Sequence, residues 1–132
     1  MMEYLRRHRF FPERMRRYKL MRVAGASMAP ALASGEMVVV DTRAYRLRGP
    51  ARGEVVAVRP RGLGGKALVK RVAAVSGRLG PSGGVVPDPG RDEFLLMGDG
   101  ASSLDSRAFG PVSREELIGR VCFRLWPRPS AV

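Results

Sequence analysis

Cysteine, histidine and long apolar runs are what this 132-residue sequence has least of. Cys122 is the only cysteine, so neither an intramolecular disulfide nor a cysteine-rich metal cluster can form. Its place between Val121 and Phe123 reads as a packed core thiol. His8 is the only histidine and lies among N-terminal arginines, which removes a histidine-containing zinc cluster and argues against a Ser-His-Asp triad. No stretch of 18 or more apolar residues occurs, so no segment reads as a bilayer-spanning helix. The basic N-terminus is not followed by the unbroken apolar stretch of a secretory signal. The expected compartment is the cytoplasm, with peripheral membrane contact as the one addition the charge suggests.

Acidic residues are also scarce: 12 against 24 lysines and arginines, for a net charge of +12. Before Ala24, eight cations (Arg6, Arg7, Arg9, Arg14, Arg16, Arg17, Lys19 and Arg22) face only Glu3 and Glu13. Such an excess fits a solvated basic surface or contact with anionic lipid, and less well a nucleic-acid partner. The arm 1–20 also carries Tyr4, Leu5, Phe10, Phe11, Met15, Tyr18 and Leu20, a mixture that reads as a basic arm or an amphipathic helix broken near Pro12.

What is present from Met21 onward is a series of short β-type runs rich in Val, Leu and Phe. They are 36–41 (EMVVVD), 53–59 (GEVVAVR), 67–75 (ALVKRVAAV), 93–97 (EFLLM) and 119–126 (GRVCFRLW). Gly- and Pro-containing turns separate them, so the expectation is a single all-β domain over 21–132, a sheet sandwich or partly open barrel. Ser113 and Glu116 fit an S-x-x-E capping box ahead of Leu117 and Ile118, predicting a short helical turn near 113–118. The Gly/Pro-rich stretch 77–90 reads as an insertion in that domain.

Without a usable histidine, a serine nucleophile needs another base, and lysine serves if it can be neutral near the working pH. Burial supplies that condition, because an ammonium removed from water loses solvation. In the strand 67–75, Lys70 shares one face with Leu68, Val72 and Ala74, while Arg71 shares the other with Val69, Ala73 and Val75. Periodicity does not choose between these two faces; chemistry favours Lys70, since arginine stays protonated. Ser27 sits in a compact small-residue turn, Gly25-Ala26-Ser27-Met28-Ala29-Pro30, beside a strand. There a side chain can be exposed and a backbone N–H can approach a carbonyl.

Three ordered boxes give these residues a context. The segment 25–36 fits G-x-S-M-x-P-x-L-x-x-G-[DE]; Val69-Lys70-Arg71-Val72 follows; and 98–112 (GDGASSLDSRAFGPV) is similar to G-D-N…S-x-D-S-R-x-x-G. Together they resemble the nucleophile, base and last boxes of bacterial signal peptidase I, and the short unanchored relatives that mature nickel-type superoxide dismutase. The resemblance implies a serine endopeptidase of the signal peptidase/LexA-like β fold, acting on the leader, signal or propeptide of a precursor protein. It implies Ser27 as nucleophile, Lys70 as general base, and Ser103 as the hydroxyl that orients the lysine, with Ser102 as its alternative. The backbone N–H of Ser27 would stabilise the oxyanion. Asp99, Asp105 and Arg107 would hold the site in place, and Arg71 would join them. Gly25 stands where members with a polar oxyanion-hole side chain carry Ser or Thr. Neither a metal nor an organic cofactor is implied.

Two other readings compete. A self-cleaving regulator of the LexA or UmuD type shares the Ser-Lys pair but needs a cleavable segment before the serine, and Ala24-Gly25 is too close to Ser27. A non-enzymatic basic module would bind lipid or nucleic acid through the arginines.

Overall fold

A computed structural model of the protein describes residues 2–4, 16–25, 27–75, 93–99 and 110–132. Within them the chain is almost entirely β: β1 (Met2–Tyr4), β2 (Tyr18–Val23), β3 (Met37–Asp41), β4 (Val55–Val58), β5 (Leu68–Val75), β6 (Glu93–Met97), β7 (Val112–Ser113), β8 (Leu117–Trp126) and β9 (Ser130–Ala131). They form one antiparallel sheet in the order β1-β2-β3-β8-β4-β5-β6-β7, curled into a half-barrel, with β9 paired to β8. The long β8 joins the two halves, since its first part pairs with β4 and its second with β3.

That crossing depends on Gly119. A Cβ there would run into the backbone of Asp41 and Thr42, so β8 passes close to the end of β3 only because the residue has no side chain.

β4 and β5 are apolar on both faces because both faces are covered. On one side Val55, Ala57, Ala67 and Val69 join Met21, Val23, Val38, Val40 and Val121, capped by Met28 and Leu32 from the connection 24–36. On the other, Val56, Val58, Leu68 and Val72 join Phe94 and Leu96 of β6, Val112 of β7, and Tyr45 from the connection 42–54.

Lys70 stands directly opposite Val56, which assigns it to the second face. A register shift lies between Val72 and Ala74 of β5. Beyond that bulge the alternation changes phase, so Val75 joins the cluster while Ala74 pairs with the exposed Leu95. The face of Lys70 is therefore completed by Val75, not by Ala74.

At the N-terminal end the sheet extends further than expected, and the expected helical turn is present. Of the segment 1–20, expected as a basic arm or an amphipathic helix, the described ends are strand: Met2–Tyr4 pairs with β2, and Tyr18 to Leu20 are the first residues of β2, already inside the sheet. Pairing to the apolar β3 outweighs the local helical mixture. The helical turn is a 3-10 turn over Arg114–Glu116, with the Ser113 N–H donating to Glu116 Oε1 at 3.0 Å. Leu117 packs with the second cluster and Ile118 with the first, a period of two that starts β8 where a helix would have continued. The insertion 77–90 lies outside the described residues.

Candidate active site

Ser27 belongs to the connection 24–36 between β2 and β3. Backbone bonds close it: Val23 N–H donates to Glu36 O at 2.8 Å and Gly35 N–H to Val23 O at 2.7 Å. Inside it, Leu32 N–H donates to Met28 O at 2.9 Å and Gly25 N–H to Ser34 Oγ at 3.2 Å. Met28 and Leu32 are fully buried, so the turn is pinned by its apolar side chains while Ser27 between them and β2 stays half-buried. Gly25 has φ of 88°, in the left-handed region that side chains avoid. The backbone shape thus accounts for glycine where a hydroxyl residue stands in some members.

Lys70 is only 1% exposed, one of the largest fully buried side chains among the described residues. Val56 lies opposite it, and Leu68 and Val72 flank it two residues away on either side. An amine in such a setting is deprived of hydration, which disfavours the ammonium. Ser27 and Lys70 each adjoin a member of the first cluster, Met28 and Val69, and Lys70 alternates to the other face from Val69.

Arg71, on the opposite face from Lys70, is held by a forked pair. Its Nε donates to Asp99 Oδ1 at 2.9 Å, its Nη2 to Asp99 Oδ2 at 2.7 Å, and its Nη1 to Gly53 O at 2.8 Å. The bidentate geometry fixes the start of the last box to β5 and to the turn before β4. Met97 pairs with Arg71, so the chain leaving β6 through Gly98 and Asp99 sets out beside Lys70. It returns as β7, with Val112 opposite Phe94. Ser102, Ser103, Asp105 and Arg107 fall within this return and outside the described residues.

Two charged centres were not legible in the sequence. Asp41, at the end of β3, is 6% exposed and takes bonds from Arg17 Nε at 2.8 Å and Nη2 at 2.7 Å. The Arg17 bonds hold its carboxyl below the usual carboxylate range. Glu54 accepts from Arg48 Nη1 and Nη2, both at 3.0 Å, from the Ala51 N–H, and pairs with Arg120 Nε at 2.9 Å. Burial alone would raise its carboxyl; the bonds from Arg48 and Ala51 and the charge of Arg120 outweigh that and hold it low. Asp41 closes a β run and Glu54 stands just before one, positions that signal a turn and nothing about an ion pair. Among the described residues no group of three His, Cys, Asp or Glu side chains converges to hold a metal.

The model of the family described as "Signal peptidase, peptidase S26" matches residues 11–79 and 84–126. This chain belongs to that family. A probable signal peptidase I-2 of Synechocystis is 30% identical over 81% of this chain and 62% of its own length. The mitochondrial ATP-independent inner membrane protease subunit 1b of Arabidopsis thaliana is 34% identical over 78% of this chain and 67% of its own length. Signal peptidase IB of Staphylococcus aureus is 26% identical over 80% and 76% respectively. The matched residues run from the N-terminal arm through β8, so all the described parts of the three boxes are family sequence. Among the described residues no helix is long and apolar enough to cross a membrane.

Proposed function

We propose that this signal peptidase family member is a serine endopeptidase in which Ser27 attacks and Lys70 is the general base, removing a leader, signal or propeptide from a precursor protein. The observation that carries the reading is the burial of Lys70 on the apolar face of a strand in a chain whose family is one of signal peptidases.

The chemistry follows from the neutral amine. Lys70 Nζ takes the proton of Ser27 Oγ as the oxygen attacks the scissile carbonyl carbon, and the carbonyl oxygen gains negative charge facing the Ser27 backbone N–H. The tetrahedral species collapses, the C–N bond breaks, and Lys70 passes its proton to the departing amine. Water then adds to the acyl-enzyme, giving up a proton to Lys70, and the ester bond breaks to return Ser27 Oγ–H. Ser103, or Ser102 in its place, hydrogen-bonds the lysine, and Asp105 with Arg107 holds the last box. The pair Arg71–Asp99 ties the start of that box to β5, next to Lys70.

A serine-directed acylating probe tests the assignment. A single covalent adduct on the parent, absent from Ser27→Ala and strongly slowed in Lys70→Ala, is the expected result; labelling of Ser27→Ala at the parental rate would refute it. Cleavage of a membrane-borne preprotein against a soluble precursor, such as that of a nickel-type superoxide dismutase, decides the substrate class.

The charge supports a second contact, between the basic N-terminal arm and anionic lipid. Arg22 of β2 lines an exposed groove of about 380 Å³ together with Leu20, Met37, Leu125 and Trp126. Salt-sensitive binding to phosphatidylserine vesicles, and none to neutral ones, is the expected outcome.

A further inference from the structure

The face of β4 and β5 that carries Lys70 is covered in part by the connection 42–54, whose buried side chain is Tyr45, 7% exposed. Tyr45 belongs to the cluster of Val56, Val58, Leu68 and Val72, in which Val56 stands opposite Lys70 and Leu68 and Val72 flank it. Its Oη is buried and has no hydrogen-bond partner among the described residues, and burial holds the phenol above its ordinary pKa. A hydroxyl so placed is a cost. The side chain thus contributes through its ring, which excludes water from the cluster.

The ring is held from several sides. The Arg48 guanidinium lies 5.7 Å from its centroid, and Arg114 Nη1 donates to the Tyr45 carbonyl at 3.0 Å. Arg48 is itself fixed by the forked bonds to Glu54, and Glu54 also pairs with Arg120. Glu54 lies two residues before Val56, and Arg120 and Lys70 face Val56 from its two sides, so Arg120, Val56 and Lys70 form one row across β8, β4 and β5. The connection is in this way clamped to β4, β8 and the 3-10 turn.

We infer that Tyr45, held by the Arg48–Glu54–Arg120 clamp, is a positioning residue that keeps water from Lys70. This rests on the reading of Lys70 as the base. Among the described residues, the charged groups around that face are Arg48, Glu54 and Arg120, with Asp41 opposite Arg120 and paired to Arg17, and Arg114 from the 3-10 turn, while Arg71, paired to Asp99, lies on the opposite face. Those with paired charges add little net potential, which leaves dehydration by the ring as the effect that the substitution removes.

The full chain labelled with [13C]lysine contains three lysines, Lys19, Lys66 and Lys70, so the Lys70 titration can be followed by NMR without reference to activity. Tyr45→Phe should titrate as the parent does. Tyr45→Ala should move the Lys70 midpoint up by about one pH unit or more, with the acid limb of kcat/KM following it. Val40→Ala, in the other cluster, should lower Tm and leave the midpoint in place. If Tyr45→Ala fails to fold, Tyr45→Leu should give a smaller shift of the same sign. A Tyr45→Ala protein with lowered Tm and an unmoved midpoint would overturn the inference, as would Tyr45→Phe moving it equally. Cleavage by Lys70→Ala, with the midpoint still shifted by Tyr45→Ala, would leave the role of Tyr45 standing and remove the reading of Lys70 as base.

Discussion

The chemistry of single residues here turns on what each side chain has lost. Lys70 has lost water and Gly25 has no side chain to strain its positive φ. Replacing Gly25 by Ser would offer an oxyanion donor but force a Cβ into the left-handed region, at about 1–2 kcal/mol. We expect Gly25→Ser to lower Tm and to give no gain in kcat. Arg71 is held by geometry more than by charge. Arg71→Lys keeps the charge and loses the fork, and should lower kcat/KM about 10-fold by loosening the segment beside Lys70, while leaving the far-ultraviolet spectrum unchanged.

At the scale of elements, the decisive features are a crossing, a turn and a bulge. Gly119→Ala pushes β8 away from Asp41 and Thr42 and should destabilise by about 1–3 kcal/mol or more, measured by urea unfolding. Met28→Ala removes a fully buried anchor of the turn that carries Ser27; a loss of about 2–5 kcal/mol is expected, together with reduced cleavage if Ser27 is the nucleophile proposed above. Elements were legible in the sequence where burial is strong. Val, Leu and Phe runs marked β3, β4, β5, β6 and most of β8 within one or two residues. β2 was hidden because its basic and aromatic residues read as an arm, and its strand form comes from pairing with β3. The β5 bulge was hidden for another reason: Ala73, Ala74 and Val75 look alike to any periodicity, and only the partner strand shows where the phase changes.

Across the described residues, the sheet is a single curled layer in which several ion pairs tie strands and connections together. Asp41, Glu54 and Glu116 all have carboxyls held below their usual values. Since such a group is ionised more readily in the folded state, its contribution is fully present above the unfolded value of about 4 and is lost as pH falls through the lower folded value. From these carboxylates, Tm should hold between about pH 5 and neutrality and fall below pH 4, and Glu54→Gln should lower Tm at neutral pH while flattening that acid decline. The candidate site was legible at this scale only in part. The resemblance of three ordered boxes to signal peptidase I is what singles out Ser27 and Lys70, and Lys70 is buried, whereas the clamp around Glu54 depends on contacts between β4, β8 and the connection 42–54 that no local pattern encodes. The most direct test of the whole account is the cleavage rate of a precursor-derived peptide by the parent, Ser27→Ala and Lys70→Ala, compared as kcat/KM. The account predicts that both variants lose at least about 10³-fold; cleavage by either at the parental rate would contradict it.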